Sequence, residues 1–197
     1  MNSLSSSISV AAAAVVLSAT TATAFVSSSP PSKSTCLSVA NSLQDDLTFV
    51  KPDTLNDGQI QEQLCTDAAN KMRRVMVPVS KDVTDTGYVG VSYIHFKAEK
   101  KTNTLPLLLV HGFDSSALEY RRLGPQLAKL GIDVYCVDLL GWGYTQLEDV
   151  KSFSAQSKVD ALKGFWKTVG NDGDVVVGGA SLGGAATIEV SNTQYNI

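Results

Sequence analysis

The sequence predicts an α/β fold, a mostly parallel sheet with helices on both faces, preceded by a leader that lies outside it. Three observations predict this. Leu105-Pro-Leu-Leu-Leu-Val110, Ile132-Asp-Val-Tyr-Cys-Val137 and Val175–Gly178 are short apolar runs without the alternation of a half-solvated sheet, the signature of strands buried on both faces. Segments of helical periodicity separate them, which argues for crossover connections. The last run opens directly into Gly179-Ala-Ser-Leu-Gly183, a turn that a strand-to-helix junction requires.

The leader comes first in the chain. Residues 1–44 carry one charged side chain, Lys33, and no carboxylate. Ile8–Leu17 is an apolar run of about ten residues, enough for a signal-peptide core and short of the roughly 20 needed to span a bilayer. Small residues at Thr20–Ala24 predict cleavage after Ala24, so residues 1–24 are expected to be a signal peptide. Phe25 follows that point, then Val-Ser-Ser-Ser-Pro-Pro-Ser-Lys-Ser-Thr. This arrangement resembles the bipartite plastid presequence of diatoms and related algae, in which an aromatic residue opens a Ser/Thr-rich transit peptide. The resemblance implies that residues 25–44 are such a segment and that the protein reaches the plastid through the secretory pathway; a plain secreted protein with a Ser/Pro-rich propeptide is the alternative. Neither part has the composition to build a core.

From Asp45 charged and apolar residues mix. Residues 45–73 read as a helical N-terminal extension, with an amphipathic helix over Asp57–Arg73 presenting Ile60, Leu64, Ala68 and Met72 at four-residue spacing. Residues 74–197 then form the domain proper. Arg74–Val79 and Tyr88–Phe96, separated by polar Lys81–Gly87, predict an antiparallel pair in which Pro78 marks an edge strand. A helix over Tyr120–Leu130 is either kinked or begun at Pro125. Ser154 is positioned to cap a helix to about Val169, whose buried face carries Val159, Leu162, Phe165 and Trp166.

Composition excludes several functions. The net charge of −3 and the lack of any Lys/Arg cluster argue against nucleic acid as a partner; Arg73-Arg74 and Arg121-Arg122 are isolated, solvated pairs. Cys36, Cys65 and Cys136 are scattered, with no metal-binding or disulfide spacing, and Cys136 falls within a buried strand where no base is near in sequence. No metal and no cofactor are expected, and the mature chain is expected to have no stable membrane span.

The chemistry centres on Ser181. A serine at the apex of a strand–turn–helix must take a strained backbone conformation that lifts its hydroxyl above the sheet. Side chains two positions away on either side would collide there, so Gly179 and Gly183 are required. The following helix N-terminus places partial positive charge where an oxyanion would form. His111-Gly112-Phe113-Asp114 follows the first parallel strand, where the Phe113 N–H can join the Leu182 N–H as an oxyanion hole. His111 precedes Gly in a tight turn, so it is read as shaping the loop and not as the general base. Asp138-Leu-Leu-Gly-Trp-Gly143 closes the next strand at the carboxyl edge, where open α/β sheets place ligands. Asp138 is read as a loop-fixing acceptor, whereas Trp142 and Tyr144 either line a substrate cavity or cover the core.

In this order, strand–His-Gly-Phe–helix–strand–Asp-x-x-Gly-x-Gly–helix–strand–Gly-x-Ser-x-Gly–helix resembles the α/β-hydrolase superfamily over about residues 74–189. Gly112-Phe-Asp-Ser-Ser-Ala-Leu-Glu-Tyr120 and Val137-Asp-Leu-Leu-Gly-Trp-Gly143 are particularly similar to a plastid and cyanobacterial subgroup. The resemblance implies a serine hydrolase acting on a small-molecule carboxylic ester or acyl substrate through an acyl-enzyme. Ser181 would attack while Phe113 and Leu182 hold the oxyanion. It also implies a triad acid and histidine from later strands. The chain holds His95 and His111 alone, both upstream of the serine, so the fold is expected to be the N-terminal part of the domain, truncated after the elbow and inactive by itself. Such a sheet would be left with a raw edge. Val190-Ser191 matches an in-frame splice-donor translation, and the helix is expected to fail after Glu189. An acyltransferase, a cofactor-free haloperoxidase, or a non-catalytic binding protein on the same scaffold are the alternatives.

Overall fold

Successive residues of the central strands face opposite sides, and each side has its own helices. The computed structural model describes residues 45–46, 49, 60–100 and 102–192 with side chains, and residues 15–16 and 22–27 by backbone alone. On one side, Val89, Val91, Leu108, Val110 and Val177 pack with Leu162, Phe165, Trp166 and Ala186. On the other, Ile94, Phe96, Leu109 and Cys136 pack with Ala68, Met72, Ala117, Tyr120 and Ala128. Leu108 and Leu109 are adjacent in sequence yet belong to different cores, as the two-residue strand period requires.

In chain order the elements are strands β1 (Val15–Val16) and β2 (Ala22–Ser27), helix α1 (Gln63–Asn70), and strands β3 (Arg73–Pro78), β4 (Tyr88–Phe96) and β5 (Leu107–Val110). A 3-10 helix (Ala117–Arg121) then leads into α2 (Leu123–Lys129), β6 (Val134–Val137), α3 (Ala155–Val169), β7 (Val175–Ala180) and α4 (Leu182–Asn192). The 7-stranded sheet has the order β1-β2-β7-β5-β6-β4-β3. Strand β5 pairs in parallel with β6 and β7, with Val110 opposite Val137 and Gly179. Strand β4 runs against both β3 and β6, so β3, β5, β6 and β7 share one direction.

Several expectations are met closely. β3 is the edge strand, and Pro78 ends it opposite Tyr88. Ser154 caps α3, its Oγ accepting from the Ser157 N–H at 3.2 Å, and all four residues expected on its buried face are buried. Pro125 stands at the third position of α2, within the first turn, where its missing N–H would lack a helical partner anyway. The α-helix begins at Leu123, two residues before the proline, with the 3-10 helix ahead of it.

Two expectations require correction. The amphipathic helix is shorter than its periodicity suggested: α1 covers Gln63–Asn70, Leu64 stays 44% exposed, and residues 57–59 lie outside the described residues. Glu62 ends the helix at an extended φ/ψ, its carboxylate drawn to Arg121 and Arg122, both at 2.7 Å. Near its start, the extension packs as a bridge and not as a helix. Asp45 pairs with Val75, and the Asp46 carboxylate meets Arg74 Nε at 2.6 Å.

Second, α4 does not fail after Glu189. It continues to Asn192, with Ser191 buried and its Oγ donating to the Thr187 carbonyl at 2.9 Å; residues 193–197 lie outside the described residues. Beyond β7 the sheet is extended by two further strands from the N-terminal stretch. β2 lies antiparallel on the outer side of β7, from Ala22 opposite Ala180 to Ser27 opposite Val175. An edge strand presents a row of unpaired N–H and C=O groups, and any extended segment can satisfy them. The cleavage expected after Ala24 falls inside this strand. The rest of the segment expected to be a transit peptide, residues 28–44 with Cys36, lies outside the described residues.

Candidate active site

Ser181 stands alone between β7 and α4 with φ of 50°, in the left-handed region that a serine rarely occupies. Its side chain is exposed. The two flanking glycines are as sterically constrained as the motif implied. A Cβ at Gly179 would come within 2.4 Å of the Gly183 backbone, and one at Gly183 within 2.2 Å of the Val110 carbonyl oxygen. Strand, bend and helix are therefore packed backbone on backbone, and α4 starts with its N-terminus beneath the serine.

The His111–Phe113 loop comes up against this bend. A Cβ at Gly112 would lie 3.4 Å from the Ala180 carbonyl oxygen and 3.6 Å from Ser181 Cβ, ordinary contact distances. Among the described residues, neither the Phe113 nor the Leu182 N–H donates to a backbone carbonyl. The Phe113 side chain is 69% exposed and meets Trp142 edge-on, with ring centroids 4.7 Å apart.

His111 is fully buried with both ring nitrogens in use. Nδ1 donates to the Gly112 carbonyl at 2.7 Å, and Nε2 accepts from the Leu139 N–H at 3.0 Å. A ring fixed this way holds two loops together and cannot take a proton from Ser181. His95 is no nearer the bend. It sits on β4 opposite Tyr135, itself level with Leu108, below the Val110–Gly179 pairing. There its ring stacks on Tyr135 at 4.1 Å and meets the Asp133 carboxylate at 3.0 Å. Among the described residues no imidazole reaches Ser181.

Asp138 acts as the loop-fixing acceptor. Oδ1 accepts from the Ala117 N–H at 2.6 Å, while Oδ2 accepts from the Tyr144 N–H at 3.0 Å and from the Ser92 hydroxyl. Burial pushes its carboxyl upward, and the donors from Ser92, Tyr144 and Ala117 oppose that rise. Gly143, with φ of 58°, is needed here because a Cβ would fall 2.3 Å from Asp138 Cγ. Trp142 lines a cavity of about 380 Å³ with Gly141, Leu147, Phe153 and Lys158, and also packs on the core. Tyr144 covers the opposite core. Cys136 is buried, and burial raises its thiol far above the ordinary range, as befits an inert side chain.

Two residues at this edge escaped the sequence reading. Tyr120 is buried, with its hydroxyl donating to the Val110 carbonyl at 2.8 Å. Glu119 accepts the Gly112 N–H at 3.1 Å. Both close the Gly112–Tyr120 stretch that carries the subgroup resemblance, but that resemblance assigned neither side chain a role. Among the described residues, no group of His, Cys, Asp and Glu could hold a metal ion, and no helix is long and apolar enough to cross a membrane.

Strands β3 to β7 with their helices, and the bend at Ser181 that follows β7, form the α/β-hydrolase fold. Residues 103–196 match the family described as serine aminopeptidase, S33. Over 88 residues the chain is 38% identical to the alpha/beta hydrolase domain-containing protein VTE7 of Arabidopsis thaliana, a match covering 45% of this chain and 26% of that protein. A thermophilic esterase from Thermogutta terrifontis superposes with a TM-score of 0.52 at 24% identity, over 61% of this chain and 41% of the esterase. The chain thus spans well under half the length of either relative.

Proposed function

We propose that the complete protein carrying this segment is a serine hydrolase that cleaves a carboxylic ester or related acyl compound through an acyl-enzyme. One observation carries the reading: Ser181 holds a left-handed bend between β7 and α4, with the Gly112 loop packed against it. In the proposed reaction the Ser181 hydroxyl adds to the substrate carbonyl, and its proton passes to a base. The Phe113 and Leu182 N–H groups stabilise the oxyanion of the tetrahedral intermediate. Collapse expels the alcohol and leaves the acyl group on Ser181 Oγ; water then releases the acid and restores the hydroxyl.

The base and its acid partner are proposed to lie outside these 197 residues, since His111 is committed to its loop and His95 sits elsewhere on the sheet. The 197-residue chain by itself is accordingly proposed to be inactive toward esters. A fluorophosphonate probe tests the assignment: it should label the complete protein at Ser181, and Ser181→Ala should abolish both labelling and ester hydrolysis. Labelling elsewhere, or hydrolysis that survives Ser181→Ala, would overturn it. Residues 1–44 are proposed to direct the protein to a plastid by way of the secretory route. A fluorescent fusion to that segment should reach the plastid, and Phe25→Ala should divert it.

A further inference from the structure

Both polar groups of Gly112 are held by side chains. Its carbonyl accepts from His111 Nδ1 at 2.7 Å, and its N–H donates to Glu119 Oε2 at 3.1 Å. Glu119 is itself solvent-exposed, so burial does not place its carboxylate. Its platform does, being a 3-10 helix pinned at three points. The Ala117 N–H donates to Asp138 at 2.6 Å, the Leu118 N–H to Ser116 Oγ at 3.4 Å, and the Tyr120 hydroxyl to the Val110 carbonyl at 2.8 Å.

We propose that Glu119 is a positioning residue that clamps the Gly112 peptide and thereby aims the Phe113 N–H at the oxyanion formed on Ser181. The proposal rests on the hydrolase reading above. Its geometry follows from peptide planarity: the Gly112 carbonyl and the Phe113 N–H belong to one rigid trans unit and point in opposite directions. His111 fixes that unit from the carbonyl side, and Glu119 fixes the preceding one at the Gly112 N–H. With both held, the plane bearing Phe113 cannot rotate about the Gly112 Cα, where a glycine would otherwise turn freely. A carboxylate suits this task because a charged acceptor binds an N–H more strongly than a neutral one. Glu119 also occupies the Gly112 N–H, leaving Phe113 and Leu182 to serve the oxyanion.

Glu119→Ala and Glu119→Gln separate this role from a structural one, since Gln keeps an acceptor oxygen. Both variants should melt close to the wild type. In the 197-residue chain, Glu119→Ala should speed hydrogen exchange of the Gly112 amide about tenfold or more, and Glu119→Gln should stay within about threefold. In the complete protein, fluorophosphonate labelling of Ser181 should slow roughly tenfold to a hundredfold in Glu119→Ala and recover in Glu119→Gln. Undiminished labelling in Glu119→Ala would overturn the clamp while leaving Ser181 as the nucleophile. So would a Glu119→Gln variant as slow as Glu119→Ala despite a protected Gly112 amide. If Ser181 labels in no variant, the hydrolase reading fails by itself, and an unmoved Gly112 amide in Glu119→Ala would overturn the clamp independently.

Discussion

Replacing Ser181 by glycine should stabilise the fold, a result no ordinary surface serine would give. At φ of 50° an L-residue sets its Cβ against its own backbone, at a cost of roughly 1–2 kcal/mol that glycine avoids. The hydroxyl offsets none of this: among the described residues Ser181 Oγ accepts and donates no hydrogen bond, and the side chain is exposed. Ser181→Ala keeps the Cβ and should leave stability within about 0.5 kcal/mol of the wild type. Ser181→Gly should gain about 1 kcal/mol over Ser181→Ala, or some 2–4 °C in Tm for a domain of this size. Chemical denaturation followed by circular dichroism resolves the difference as a shift in midpoint at constant slope. Equal stability of the two variants, or a less stable glycine variant, would show that the bend is not strained and remove the main geometric support for a nucleophile there.

Other predictions address the surroundings. Gly183→Ala must push α4 away from the Val110 and His111 carbonyls, 2.2 and 2.4 Å from the new methyl, and should cost about 3 kcal/mol or more in the same denaturation assay. Gly173→Ala, where the nearest atom is one carbonyl at 3.1 Å, is the control and should cost far less. Asp138→Ala strands the Ser92 hydroxyl and the Ala117 and Tyr144 N–H groups in a buried site; a loss of roughly 3 kcal/mol or more is expected. Glu62 has a carboxyl held below its usual 4.5, first by its hydrogen bond from Arg121 and then by that from Arg122. A depressed carboxyl stabilises the fold above its unfolded value and ceases to do so as pH falls through the folded one. The Tm difference between the wild type and Glu62→Gln should therefore be present at pH 6 and vanish in acid.

The fold was legible from sequence where one physical signal dominates. Continuous apolar runs marked β5, β6 and β7, and Ser154 marked the start of α3, because strand burial and capping are written in neighbouring residues. Gly179 and Gly183 were legible for the same reason: the collision that excludes a side chain occurs within one turn of chain. Asp57–Arg73 misled because four-residue spacing does not reveal that Glu62 is claimed by Arg121 and Arg122, from about sixty positions downstream. The end of α4 was misjudged because Ser191 is a weak helix former on its own. Its hydroxyl bond to Thr187 and its burial offset that weakness. Glu119 and Tyr120 were missed because their partners, Gly112 and Val110, are joined to them by the path of the backbone and not by any pattern of residue types.

The Val110 carbonyl oxygen has a consequence of its own. It accepts the Tyr120 hydroxyl and also forms the floor beneath Gly183, so a single atom is shared by β5, the 3-10 helix and the start of α4. The rim of the sheet is consequently stiff at this point. At the far end of β5, Leu107 is only partly buried, and substitutions there can be absorbed locally. At the Val110 end a change as small as Tyr120→Phe frees an oxygen against which the start of α4 packs. Substitutions should thus be absorbed at Leu107 more readily than at Tyr120 or Gly183.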